Sequence, residues 1–280
     1  MTRLIEADDA LRALLTKREG AHKYSYGHAL VLSGGAGHSG AARLAARAAL
    51  RVGAGLVTVL APQSSMAENA AQLTAVMLRV LPDSYSLRGL LQDQRLNALL
   101  LGPGLGLGRV REMVPAALWA KRATVLDADA LSAYADEPGQ LLGALHGRVV
   151  LTPHMGEFAR LFPDLAAEGL APLEAARRAA ERAGCVVLLK GAETAVAAPT
   201  GETALHRAVG AQAAPWLATA GSGDVLSGII VGLLARGAEP FEAACAACWL
   251  HAAAARAFGP GLIAEDLPDL LPGVFRDLGL

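Results

Sequence analysis

The chain has 280 residues, is 53% hydrophobic and carries 25 basic against 26 acidic side chains, which suits one large globular domain with a sizeable core. Near-neutral charge, with arginines scattered through alanine-rich segments, gives no electrostatic footprint for DNA or RNA. No segment approaches the roughly 18 uninterrupted apolar residues of a membrane span, and the opening MTRLIEADDALRALL turns acidic where a secretory signal would turn apolar, so a cytoplasmic location and no membrane contact are expected.

The first strand is predicted at 29–33 (ALVLS). It runs into GGAGHSGA, where Gly35, Gly37 and Gly40 spell GxGxxG between a strand and a helix, formally the dinucleotide fingerprint. That fingerprint needs an acid about 20 residues on, at the end of the next strand. The next strand, 55–61, runs out through APQSS with no acid, so a Rossmann dehydrogenase is disfavoured. What remains is a bare turn, or a loop that hugs some other ligand with Ala41 at the helix start. AARLAARAALRVG, 41–53, reads as the amphipathic helix between these strands.

A third strand, 97–102, meets GPGLG, whose three glycines, Gly102, Gly104 and Gly106, exceed what a bare turn needs and let a ligand approach the backbone. The strand 123–128 carries Asp127 at its end and Asp129 at the start of a helix. Asp129 suits an N-cap or a ligand contact; Asp127 suits a ligand hydroxyl or a hydrated Mg2+. After the strand 148–153 come His154 and Glu157 in TPHMGE. Either they complement a helix dipole separately or they bind a ligand together. The segment 172–184 opens on Pro172 and closes on Gly184 as a helix should. The strand 185–190 then ends on Lys190, where a charge is costly unless it reaches water or an anion, and a phosphate is the natural partner.

AVAAPTGETALHR reads as a hairpin around 199–202, and two helices follow at 224–236 and 240–258. Cys245 and Cys248 form a CxxC with His251 three residues on, but they lie in an alanine-rich helical stretch without the second ligand pair that zinc needs. They are expected to be core residues, and no protein metal site is assigned. Strand-like and helix-like runs alternate throughout, so an α/β fold is expected, with a mostly parallel sheet, helices on both faces and ligands beyond the carboxyl ends of the strands.

TAGSGDVLSG, 219–228, then stands out. Gly221, Ser222 and Gly223 offer unhindered N–H groups at a helix start, an anion-binding arrangement. Asp224 beside them is either a helix cap or a base that deprotonates a hydroxyl while the helix end holds the group transferred to it.

ATAGSGDVLSGIIVGLLARG, with VLDADAL, LTPHMGE, LKGAET, GPGLG and SGAARLAARAALRVGAGLVTV, resembles the ADP-dependent (S)-NAD(P)H-hydrate dehydratases of the ribokinase-like superfamily, in order from Arg18 to His251. The resemblance implies a three-layer fold without a separate lid, and one domain over 1–280 with no fused epimerase. It implies restoration of NADH and NADPH from their hydrates, with ADP, or ATP as the alternative, phosphorylating the added hydroxyl, and with Mg2+. It assigns Asp224 as base and substrate contact, and Gly223 as part of an anion hole. Lys190, Gly191, Ala192, Glu193 and Thr194 are assigned to the nucleotide, and Ala41, Gly106 and His154 to the hydrated substrate. A homotetramer and cooperation with a separate epimerase are implied as well. Met155 replaces the family's proline after the histidine, and VGAQAAPWLATAGSGD lacks its asparagine and Pro-Gly. A small-molecule kinase of the hydroxyethylthiazole or pyridoxal kinase type is the alternative.

Overall fold

Short Val- and Leu-rich runs give a central sheet because strands covered on both faces need apolar side chains at every position. In the computed structural model, which describes residues 2–280, the strands are β1 Arg3–Leu4, β2 His28–Leu32, β3 Leu56–Ala61, β4 Met77–Val80, β5 Ala98–Leu101, β6 Ala123–Leu126, β7 Val149–Leu151, β8 Val186–Leu189, β9 Glu193–Ala197 and β10 Thr203–Arg207. They form one ten-stranded sheet in the order β1-β10-β9-β8-β7-β6-β5-β2-β3-β4. Among the described residues only β9 runs antiparallel to its neighbours. All six strands expected from the sequence are present, as is the hairpin, closed where Ala198 N–H donates to Glu202 O at 2.9 Å. The outermost strands β1 and β4 were not expected; both are largely exposed and carry no continuous apolar run. LKGAET was expected as a strand end, yet β9 begins at Glu193 and makes it a second tight hairpin.

Alternate strand residues feed two cores. Ala29, Val31, Ala98 and Leu100 face one; Leu30, Leu32, Leu99 and Leu101 face the other. Helices Gly40–Arg51, Ser222–Ala235, Pro240–Phe258 and Leu267–Asp277 cover the first core, and Leu107–Trp119, Met155–Leu161 and Pro172–Ala183 cover the second. The result is a three-layer α/β/α stack, in which each fully buried Leu or Val contributes about 1.5–3 kcal/mol.

The helix Ser222–Ala235 is buried from Val225 through Ala235. It therefore lacks the one-sided stripe of a surface helix. It lies against Gly40–Arg51 along a seam of close backbone approach: a Cβ on Gly228 would stand 2.3 Å from Ala45 O, and one on Gly232 2.4 Å from Val52 Cγ1 and 2.7 Å from Ala49 O. The sheet order reverses at β2, which has β3 on one side and β5 on the other. In open α/β sheets that is where ligands bind.

Candidate active site

The glycine-rich loop after β2 folds around a carboxylate of the protein itself. Glu68 accepts from Gly37 N–H at 2.9 Å and from the Ser39 hydroxyl at 2.5 Å. These bonds, with the Ser39 hydroxyl the larger influence, hold its pKa below the usual carboxylate value.

The loop after β5 is glycine-rich for a different reason from the one its sequence suggests. Gly102 has φ +126° and its Cβ would stand 1.7 Å from Asp127 O; Gly104 has φ +63° and its Cβ would stand 2.8 Å from His38 O. Backbone packed on backbone requires both glycines. Only Gly106 faces open space. Its N–H donates to Asp129 Oδ2 at 2.8 Å. Asp129 is the first residue of the short helix Asp129–Ser132, whose N-cap is Ala128, so it ties two loops together and does not cap its own helix. Ala41 completes this corner, with its Cβ 3.6 Å from the position a Gly104 Cβ would take.

Lys190, at the end of β8, reaches a carboxylate of the fold and not, as the sequence suggests, a phosphate alone. Its ammonium donates to Asp127 Oδ1 at 2.8 Å and lies 3.9 Å from Glu157 Oε2. Burial pulls the Lys190 pKa down, but Asp127, Glu157 and Asp224 outweigh it and leave the value raised. Asp127 is 1% exposed. Its other oxygen accepts from the Ser227 hydroxyl at 2.6 Å. Burial raises the Glu157 pKa, against Lys190. His154 and Glu157 are joined in a way the sequence reading did not include: His154 Nδ1 accepts from Gly156 N–H at 2.9 Å, while Glu157 Oε2 accepts from His154 N–H at 2.9 Å. This is a capping box in which a histidine replaces the usual Ser or Thr. The His154 side chain is otherwise exposed, and its backbone pairs with Lys190 in a parallel bridge.

Asp224 is the third residue of its helix and not its cap. The N-cap is Gly221, at φ +85°, and no side chain caps this end, so its N–H groups remain available to an anion. Gly221 is required there because a Cβ would stand 2.7 Å from Leu44 Cδ1 and 2.9 Å from Ala264 Cβ. A Cβ on Gly223 would lie 3.6 Å from Lys190 Nζ, which places the ammonium beside the helix end. Burial first, then the Asp127 and Asp129 charges, push the Asp224 pKa up to about 7 against the pull of Lys190. Ser222 and His251 Nε2 lie 3.2 Å apart, and burial holds the imidazole pKa down at about 4.

Gly191 and Ala192 form the exposed turn between β8 and β9, and Thr194 closes it by donating to Gly191 O at 2.9 Å. Glu193 pairs with Arg207 at 2.9 Å. Cys245 and Cys248 are buried in the helix Pro240–Phe258, as expected, and burial raises both thiol pKa values. Among the candidates, Ala41, Gly106, Asp127, His154, Lys190 and Asp224 all stand at the carboxyl edge of the sheet. Glu68 and Ser227 were not singled out from sequence. For Ser227 a signal existed: a polar residue one turn after Asp224 in an otherwise apolar run.

This architecture defines a ribokinase-like α/β protein, with a carboxylate and a lysine gathered at an uncapped helix end. A ribokinase-like protein from Enterococcus faecalis superposes with a TM-score of 0.82 at 22% identity over 99% of this chain and 96% of its own. The chain belongs to the NAD(P)H-hydrate dehydratase family, which it matches over residues 29–271. It is 40% identical to the ADP-dependent (S)-NAD(P)H-hydrate dehydratase of Neisseria meningitidis over 85% of this chain and 79% of that one. It is also 40% identical to the bifunctional NAD(P)H-hydrate repair enzyme of Moorella thermoacetica, covering 95% of this chain and 53% of that protein. The chain thus spans about half the length of several curated relatives that it matches. The ADP/ATP-dependent NAD(P)H-hydrate dehydratase of Bacillus subtilis, co-crystallised with ATP/Mg2+, superposes with a TM-score of 0.77 at 28% identity over 99% of both chains.

Proposed function

We propose that this protein converts the (S)-hydrates of NADH and NADPH back to NADH and NADPH, consuming ADP and releasing AMP and phosphate. The observation that carries the reading is Asp224: a carboxyl with pKa about 7 on an uncapped helix end, in a chain of the NAD(P)H-hydrate dehydratase family.

Asp224 takes the proton from the hydroxyl that hydration added to the nicotinamide ring, and the oxygen attacks the terminal phosphoryl group of ADP. The bond from that phosphorus to the AMP oxygen breaks. The N–H groups of the Gly221–Gly223 end and the Lys190 ammonium offset the negative charge as it shifts. Phosphate, a far better leaving group than hydroxide, then departs as the ring nitrogen donates its electron pair. The neighbouring ring carbon gives up the proton it gained on hydration, and the double bond returns. Gly191 to Thr194 line the AMP portion of the nucleotide, while Ala41, Gly106 and His154 contact the hydrated substrate.

The carboxylates here are a poor cage for Mg2+. Both Asp127 oxygens are engaged, and Lys190 holds the place a cation would take. Mg2+ therefore travels with the nucleotide phosphates and its own waters, and would supply charge neutralisation there. The same proposal includes cytoplasmic residence, a homotetramer and supply of the (S)-hydrate by an epimerase; size-exclusion chromatography with light scattering tests the tetramer.

The test is incubation with hydrated NADH and ADP while following the absorbance of reduced nicotinamide. Nucleotide-dependent recovery is expected. A stable phosphate ester without recovery would indicate a small-molecule kinase instead, and no reaction at all would refute the dehydratase.

A further inference from the structure

Three ionisable side chains and a hydroxyl meet beneath the Asp224 helix, and stability alone gives no reason for them. Asp127 is 1% exposed and spends one oxygen on Lys190 and the other on Ser227. Apolar replacements of similar volume generally leave a fold as stable or more so. What the cluster supplies is placement. Asp127 follows β6, Lys190 follows β8, and Ser227 lies three residues after Asp224 on its helix. One buried carboxylate thus links the base's own helix to the lysine of another strand.

We propose that Asp127 is a positioning residue for phosphoryl transfer: clamped by the Ser227 hydroxyl, it fixes the Lys190 ammonium beside the Gly223 end of the Asp224 helix, where the cation meets the transferred group. An ammonium has three donors. Asp127 takes one, Glu157 lies 3.9 Å away, and the Lys190 side chain keeps 21% exposure for an incoming anion. The charged groups facing Asp224 are Asp127, Asp129 and Lys190, with Glu157 and His154 behind the lysine. Removing the Asp127 charge takes away a repulsion that outweighs the pull of Lys190 on Asp224, so ionisation of Asp224 becomes easier even as Lys190 is less firmly held. The proposal rests on Asp224 as the base.

Asp127→Asn keeps the shape and an acceptor for Ser227. With hydrated NADH and ADP, its kcat is expected to fall ~100-fold, the scale of a misplaced catalytic group. The acid limb of its pH profile should move down by about one unit. Difference infrared titration of the Asp224 carboxyl, using matched Asp224→Asn samples without substrates, should show the same shift. A merely structural role would lower melting temperature and leave the kcat of the folded variant in place once the shifted acid limb is allowed for, and that result overturns the proposal. Should Asp127→Asn not fold, Ser227→Ala retains every charge and only loosens the clamp. A kcat ~10-fold lower is expected for it, and an unchanged kcat in the folded variant overturns the proposal. Wild-type protein without dehydratase turnover would refute the proposed function instead, with the infrared titration still reporting on Asp127.

Discussion

Gly34 and Gly104 touch across the point where the sheet order reverses: a Cβ on Gly34 would stand 1.9 Å from Gly104 O and 2.8 Å from His38 O. The loops after β2 and β5 thus brace one another through bare backbone, and the corner carrying Ala41 and Gly106 depends on that contact. Gly34→Ala is expected to destabilise the protein by about 3 kcal/mol or more, because backbone, and not a flexible side chain, has to give way. Thermal melts set beside the open glycine variant Gly108→Ala check this; equal melting temperatures would show that the two loops are not braced.

Asp224→Asn removes the carboxylate proposed as the base and keeps the shape of the side chain. Turnover of hydrated NADH is expected to fall at least ~100-fold, with ADP affinity in calorimetry close to that of the wild type. Near-normal turnover would return Asp224 to a structural role.

The raised pKa of Asp224 gives two pH signatures of opposite sign. As a base it must be ionised, so kcat/KM should rise with pH and level off above about 7. As a buried carboxyl it favours the fold only while protonated. That contribution is complete below the unfolded value of 3.8 and is lost as pH climbs through about 7. Asp224→Asn should therefore stabilise the ligand-free protein at pH 8 by about 4 kcal/mol, with the gain vanishing toward pH 4 in denaturant titrations. A gain that persists at pH 4 would contradict the shift.

Lys190→Ala should weaken ADP binding and also destabilise the fold, since it strands the buried Asp127 carboxylate without its cation. A loss of about 3–5 kcal/mol is expected. Adding Asp127→Asn should restore much of the stability and none of the ADP affinity. Chemical denaturation and calorimetry of the single and double variants separate the two effects, and a fully stable Lys190→Ala would show that Asp127 needs no partner.

The interior strands were legible because burial on both faces writes an unbroken Val and Leu run, and the loops of the site were legible because glycine and charge punctuate those runs. β1 and β4 were not, since outermost strands with exposed positions carry no such run. Single residues were harder to read. Lys190 at a strand tip signals the need for an anion, yet only the fold reveals that Asp127, 63 positions earlier, supplies one. The glycines of GPGLG signal close approach, but Gly102 and Gly104 are approached by the protein's own carbonyl groups. His154 and Glu157 were correctly seen as neighbours at a helix start; that one ring nitrogen is spent as a cap follows only from the geometry.

The seam of Gly228 and Gly232 against Ala45 and Ala49 bears on motion as well as on packing. With backbone carbonyl groups and the Val52 side chain packed directly against the two glycines, the helices have no slack along which to slide, so Asp224 and Ala41 ride on one stiff unit. Binding of a nucleotide then cannot be accompanied by a slide of one of these helices past the other. Hydrogen exchange should find the slowest amides in the middle of the Ser222–Ala235 helix, a turn or two from Asp224.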